Sequence, residues 1–117
     1  MIRGVVSEER VPRVELVIAG QRVWAVVDTG FNGDLELPDS LQDKLDCIFL
    51  ARRRSLLAAG MVVEEDVYRV LLEFDGRQVE AEVTFAPGQE ALIGTGLLAD
   101  YRLEVDFVRR TVELRKE

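Results

Sequence analysis

The chain has 117 residues, 48% of them apolar and 32% charged, the balance of one folded domain spanning 1–117 rather than of a disordered segment. Its 22 acidic and 15 basic residues leave a net charge of −7, which argues against nucleic acid and membrane as partners, since both demand basic surface. With no His and one Cys, histidine-dependent nucleophiles, intrachain disulfides and zinc–thiolate clusters are excluded, and acid–base chemistry falls to carboxylates, Lys or Tyr.

The N-terminal run to Arg13 holds no apolar stretch long enough for a signal peptide, and nothing later approaches a transmembrane span. A cytoplasmic setting is the expectation, with Cys47 a small core hydrophobe. Val14–Ala19 and Val23–Val27 flank Gly20-Gln21, a hairpin signal. Asp28-Thr29-Gly30 follows directly, placing a carboxylate at the end of an apolar run. An ionised carboxylate there is costly unless held. Asp28 therefore reads as a turn residue accepting backbone N–H bonds or as a catalytic acid. Trp24 and Phe31 read as core or interface aromatics.

A short helix is expected over Asp39–Leu45, after Pro38, with Leu41 and Leu45 on one face. Arg52-Arg53-Arg54 reads as a solvated strand or edge, with an acidic ligand as the sharper reading. Glu64-Glu65-Asp66 reads as a solvated turn, or as a device favouring basic substrates. Val70–Phe74 and Val79–Phe85 flank Asp75-Gly76, a second hairpin signal, and Val79, Ala81, Val83 and Phe85 alternate with polar residues as in a half-buried strand. A second helix is expected over Gly96–Asp100 with Thr95 as its N-cap. Leu103, Val105 and Phe107 then alternate, and Arg109-Arg110 turn the chain into Thr111–Leu114. No phosphate-binding loop, nucleotide fingerprint or metal-ligand cluster appears.

The stretch Gly20 to Val27 is echoed by Gly76 to Val83, with Val23/Val79, Ala25/Ala81 and Val27/Val83 in step. Each copy leads to an apolar pair and a Gly-containing turn: Val26-Val27 before Asp28-Thr29-Gly30 in one, Leu92-Ile93-Gly94 in the other. A repeated hairpin unit suggests a pseudo-symmetric β domain.

With these residues the chain resembles the retropepsin-like aspartic peptidases, in particular small single-domain bacterial and archaeal members. The carriers are Val26-Val27-Asp28-Thr29-Gly30, Leu35-Glu36-Leu37-Pro38, Leu92-Ile93-Gly94 and Leu97-Leu98. The resemblance implies an all-β fold, a retropepsin-like closed β-barrel (the acid protease fold) with one or two short helices. It implies that Asp28 is the catalytic aspartate, that the Thr29 hydroxyl bonds across to a partner's loop, and that Gly30 lets two such loops meet. Leu92, Ile93 and Gly94 would form a supporting loop behind them. The segment Leu57–Asp66 would be the flap, with Ala59, Gly60, Met61 and Val62, together with Phe31 beside the triplet, meeting substrate. The family also places the chain ends, Ile2–Val6 and Thr111–Arg115, at the subunit interface. Two departures stand out. Phe31 replaces the small residue that usually follows the triplet, and the flap lacks the glycine cluster of viral members.

Peptide hydrolysis by aspartates needs two carboxyl groups sharing a proton and holding one water. A chain with one Asp-Thr-Gly triplet would obtain the second from a homodimer, with no cofactor and no metal, acting on a peptide or protein substrate. Phe31 and the atypical flap keep open an alternative: a catalytically weak or inactive dimerisation or binding module on the same fold.

Overall fold

The computed structural model describes residues 1–117, the side chain of Ala58 apart. Ten strands form one sheet: β1 (Ile2–Val6), β2 (Pro12–Ile18), β3 (Gln21–Val27), β4 (Leu35–Pro38), β5 (Ile48–Leu56), β6 (Val62–Phe74), β7 (Arg77–Ala86), β8 (Ala91–Ile93), β9 (Tyr101–Asp106) and β10 (Thr111–Lys116). Their order is β5-β6-β7-β4-β8-β3-β2-β1-β10-β9, and a further β2–β6 pairing closes β6, β7, β4, β8, β3 and β2 into a ring, with β5 outside it. The all-β architecture expected from the sequence is thus the one observed. The core fills this ring with Leu16, Ile18, Leu35, Leu37, Leu72, Val83 and Ile93, all essentially inaccessible to water.

Two tight turns start the repeated units. Ala19-Gly20 joins β2 to β3 and Asp75-Gly76 joins β6 to β7, each with both φ angles positive, the two-residue geometry that follows the natural strand twist. The first turn sits one residue earlier than the Gly20-Gln21 expected. The same spacing carries through the frame. β4 corresponds to β8, and the helices after them correspond too. The halves then exchange strands, β8 pairing parallel with β3 and β4 parallel with β7, while β4 and β8 meet antiparallel. This corrects one alignment. Leu92-Ile93-Gly94 is the counterpart of Glu36-Leu37-Pro38, not of the Asp28 loop. The position equivalent to Asp28 is Thr84, within β7.

The first helix is a 3-10 turn, Asp39–Lys44, whose flanking Leu45 is buried. The second, α1, covers Thr95–Leu98. Thr95 is not its cap. Gly94 holds that position, and the Thr95 hydroxyl donates instead to the Phe31 carbonyl.

Three more expectations change. Trp24 is 47% exposed on β3 and is no core aromatic of the single chain. Phe107 lies in the β9–β10 turn, 57% exposed, rather than continuing the strand. Glu64-Glu65-Asp66 belongs to β6 and not to a turn: it pairs with Arg54, Arg53 and Arg52 of β5. The basic and acidic triplets are rungs of one hairpin, and opposite charges across antiparallel strands stabilise the pairing. Arg52 reaches Glu64 at 3.1 Å and Asp66 at 3.8 Å. Of the terminal strands, β10 lies between β1 and β9, and β1 lies beside β10 and meets β2 at Val5 and Val6. No helix is long and apolar enough to cross a membrane.

Candidate active site

Asp28 is the first residue beyond β3. Its N–H donates to the Ile93 carbonyl at 2.9 Å, continuing the β3–β8 pairing by one residue. The chain then leaves the sheet. One carboxylate oxygen of Asp28 accepts the Gly30 N–H at 2.9 Å, and its carbonyl accepts the Phe31 N–H at 3.2 Å. The turn-residue reading of Asp28 and the catalytic one are therefore compatible: one oxygen holds the loop, and the side chain is only partly buried. Thr29 and Gly30 are exposed.

The loop from Asp28 to Asp34 is stitched to the segment after β8. The Phe31 carbonyl accepts Thr95 N–H at 2.8 Å and the Thr95 hydroxyl at 3.3 Å. The Gly33 carbonyl accepts Gly96 N–H at 3.0 Å, and the Asp34 carbonyl accepts Gly94 N–H at 2.9 Å. Backbone can approach this closely only where side chains are absent. A Cβ on Gly94 would collide with the Gly33 carbonyl oxygen and the Phe31 ring. Leu92 is half-buried and Ile93 fully buried beside it. Leu92-Ile93-Gly94 therefore lies behind the Asp28 loop.

Phe31 finds its seat in the same way. Its ring lies over Gly33, where a Cβ would come within 2.6 Å of it, and against Gly94. The large residue after the triplet is thus matched by two glycines, and Gly33 is more than a turn residue.

Gly30 and Phe31 open onto a cleft of about 350 Å³ beneath the β5–β6 hairpin. Leu35, Val67 and Val83 supply apolar wall, and Glu36, Glu65 and Glu82 supply carboxylates. The hairpin contributes Arg53, Ser55, Leu56 and Leu57. Ala59, Gly60, Met61 and Val62 stand further out at the exposed hairpin end and do not line the cleft of the single chain. The end is closed by Leu57 N–H donating to Met61 at 2.7 Å.

Several cleft residues escaped the sequence reading. Asp34 accepts the Glu82 N–H through its carboxylate at 3.0 Å, tying the loop to β7. Arg53 donates to Glu82 at 2.8 Å, tying the hairpin to the same strand. Glu36 sits in the cleft between buried Leu35 and Leu37. Strand alternation could have located it, because a residue between two core leucines points the other way. Burial pushes the Glu36 carboxyl above its usual range, and the charges of Glu65 and Asp28 add to this. Among the described residues no group of three or more His, Cys, Asp or Glu is arranged to hold a metal.

No protein-family model matches the sequence, and no curated protein matches it. Solved structures do. A retropepsin-like aspartic protease from Rickettsia conorii superposes with a TM-score of 0.70 at 16% identity, covering 97% of this chain and 88% of that one. EIAV protease in complex with the inhibitor HBY-793 superposes with a TM-score of 0.62 at 19% identity, covering 80% of this chain and 90% of that one. The ring of strands, the exchanged β4 and β8 and the loop carrying Asp28 together constitute the retropepsin-like fold, and this chain has it.

Proposed function

We propose that the chain is an aspartic peptidase working as a homodimer, with Asp28 of each subunit facing the other across the two-fold axis. One observation carries the reading. Asp28 is held in a loop braced from behind by Gly94, Thr95 and Gly96, and that loop opens onto a cleft roofed by a hairpin. The fold is that of a protein described as a retropepsin-like aspartic protease and of EIAV protease. The second half of the chain has Thr84 where the first has Asp28, so the second carboxylate comes from a second chain.

In this mechanism a water lies between Asp28 and the partner's Asp28, which share one proton because two adjacent carboxylates do not both ionise cheaply. The ionised one takes a proton from the water, and the oxygen attacks the peptide carbonyl. The protonated one donates to the carbonyl oxygen. The carboxyl that took the water's proton passes it to the nitrogen, the C–N bond breaks, and a hydroxyl proton of the intermediate returns to the other carboxylate as the product carboxyl forms. The exposed Thr29 hydroxyl is available to bond across the dimer. The hairpin end at Ala59–Val62 closes over the bound peptide, whose side chains enter the cleft between Phe31 and Leu57. No cofactor takes part.

The test is incubation with a mixed peptide library from about pH 4 to 7, the range in which a shared-proton dyad works. Cleavage by the native protein and at least about a thousandfold loss in Asp28→Asn are expected. Cleavage that persists in Asp28→Asn contradicts the mechanism. Absence of cleavage at every pH, with an intact dimer, turns the reading to a dimerisation or binding module.

A further inference from the structure

The dimer proposed above needs a surface, and the terminal strands offer little of one: β10 is paired on both sides, and β1 pairs with β10 over Ile2–Val5 and with β2 at Val5 and Val6. The sheet has two ends, β5 and β9. We infer that two copies of the chain join through the outer edge of β9, antiparallel, about an axis passing Leu103. This rests on the homodimeric reading of the site.

The backbone phase of β9 follows from its pairing with β10. Glu117 N–H donates to the Asp100 carbonyl at 2.9 Å, and the register pairs Tyr101 with Lys116 and Arg102 with Arg115. Directly bonded pairs alternate along an antiparallel ladder. Arg102, Glu104 and Asp106 therefore direct their N–H and C=O groups to β10, while Tyr101, Leu103 and Val105 direct theirs outward. Those outward groups have no backbone partner among the described residues. Such an edge is a template for another strand.

The side chains choose the partner and the register. Antiparallel neighbours across a two-fold axis set residues of the same face opposite each other, so the axis passes through a residue pair. About Leu103, Arg102 faces the partner's Glu104 and Glu104 faces the partner's Arg102. Tyr101 faces the partner's Val105, and all three outward-directed residues enter bonded pairs. An axis at Arg102 or Glu104 sets like charges face to face, and one at Val105 sets Glu104 against the partner's Asp106. The Arg102–Glu117 ion pair, 70% and 62% exposed, is of the kind that contributes little and is readily exchanged.

The exposed turn beyond β9 points the same way. Phe107 is 57% and Val108 92% exposed. In the Leu103 register Phe107 falls opposite the partner's Ala99, just past α1, the helix whose Thr95 holds the Phe31 carbonyl. The interface would therefore bury apolar surface and abut the segment that braces the Asp28 loop. The other end of the sheet behaves oppositely. A two-fold register centred on Arg52, Arg53 or Arg54 of β5 opposes cations, which blunts that edge against self-pairing.

Charge reversal tests the register. Sedimentation velocity would be run on Arg102→Glu, Glu104→Arg and the double swap, with peptide hydrolysis measured in parallel. Each single reversal puts like charges opposite each other twice and is expected to raise the dimer dissociation constant by roughly tenfold. The double swap, which restores opposite pairs, should return it to within about threefold of the native value. Leu103→Pro removes an outward N–H at a position where an edge strand tolerates proline; circular dichroism would confirm folding, and a monomer is expected. If single reversals and a folded Leu103→Pro dimerise like the native chain, the β9 interface is overturned, and continued hydrolysis by those variants leaves the peptidase reading standing. If the reversals disrupt the dimer but the native dimer never hydrolyses peptides, the interface stands and the peptidase reading falls. A native chain monomeric at all concentrations overturns the interface outright.

Discussion

β3 and β7 begin alike and end differently. Each leaves a tight turn with positive φ at both residues, each packs alternate side chains into the ring, and each pairs parallel with the short strand of the other half. At Asp28 the first strand stops, and the chain makes a loop held by its own carboxylate. At the equivalent Thr84 the second strand continues to Ala86. The second half spends Gly94 to Gly96, the counterpart of Pro38 to Ser40 rather than of the Asp28 loop, on supporting the first half's loop. The repeated frame thus gives one half the Asp28 loop and the other half the job of bracing it. On the proposed mechanism a single chain is half a site, and its pseudo-symmetry supplies the scaffold but not the second acid.

This division of labour can be broken from the supporting side. Gly94→Ala should have the largest effect on stability. The methyl group meets a backbone oxygen and a seated ring that cannot both retreat, and overpacking of this kind costs about 2–3 kcal/mol. A fall in the denaturant midpoint is the readout, with hydrolysis falling as the Asp28 loop shifts. Asp34→Ala should cost less, about 1–2 kcal/mol, by leaving the Glu82 N–H without its acceptor. If it melts like the native chain, water replaces that bond and Asp34 is not a strut.

The smallest effect is the most informative about the cleft. Burial raises the Glu36 carboxyl above its ordinary range, so the folded chain holds that proton to higher pH than the unfolded chain does. Its favourable contribution is present below the unfolded value and is lost as pH rises through the folded one. Glu36→Gln should therefore melt slightly above the native protein at pH 7. The gap should close as pH falls below about 4.3, where the carboxyl is protonated in both states. A gap of opposite sign would mean that an ion pair holds Glu36 charged.

Much of the scaffold was legible in the residues. The Asp75-Gly76 turn, the alternation from Val79 to Phe85 and the apolar run before Asp28 are local signals, set by strand pleat and turn chemistry. What escaped depends on pairing between distant segments. Arg52-Arg53-Arg54 and Glu64-Glu65-Asp66 looked like separate charge runs because only the hairpin register reveals them as partners. The seat of Phe31 is made by Gly33 and Gly94, far apart in the chain. Thr95 looked like a helix cap because Ser or Thr before a helix usually is one, yet its hydroxyl serves the loop across the ring. Phe107 continued the alternation of Leu103 and Val105, but Asp106 accepts N–H bonds from Val108 and Arg109 and turns the chain before it.

The central claim, that one active site requires Asp28 from two chains, is tested most directly by subunit mixing. Native and Asp28→Asn chains would be exchanged to equilibrium at constant total protein while peptide hydrolysis is followed. If both carboxylates are needed, an equal mixture retains about a quarter of the all-native rate, because only that fraction of dimers carries two Asp28 residues. A rate of about half, falling linearly with the native fraction, would mean that each chain works alone and would contradict the account.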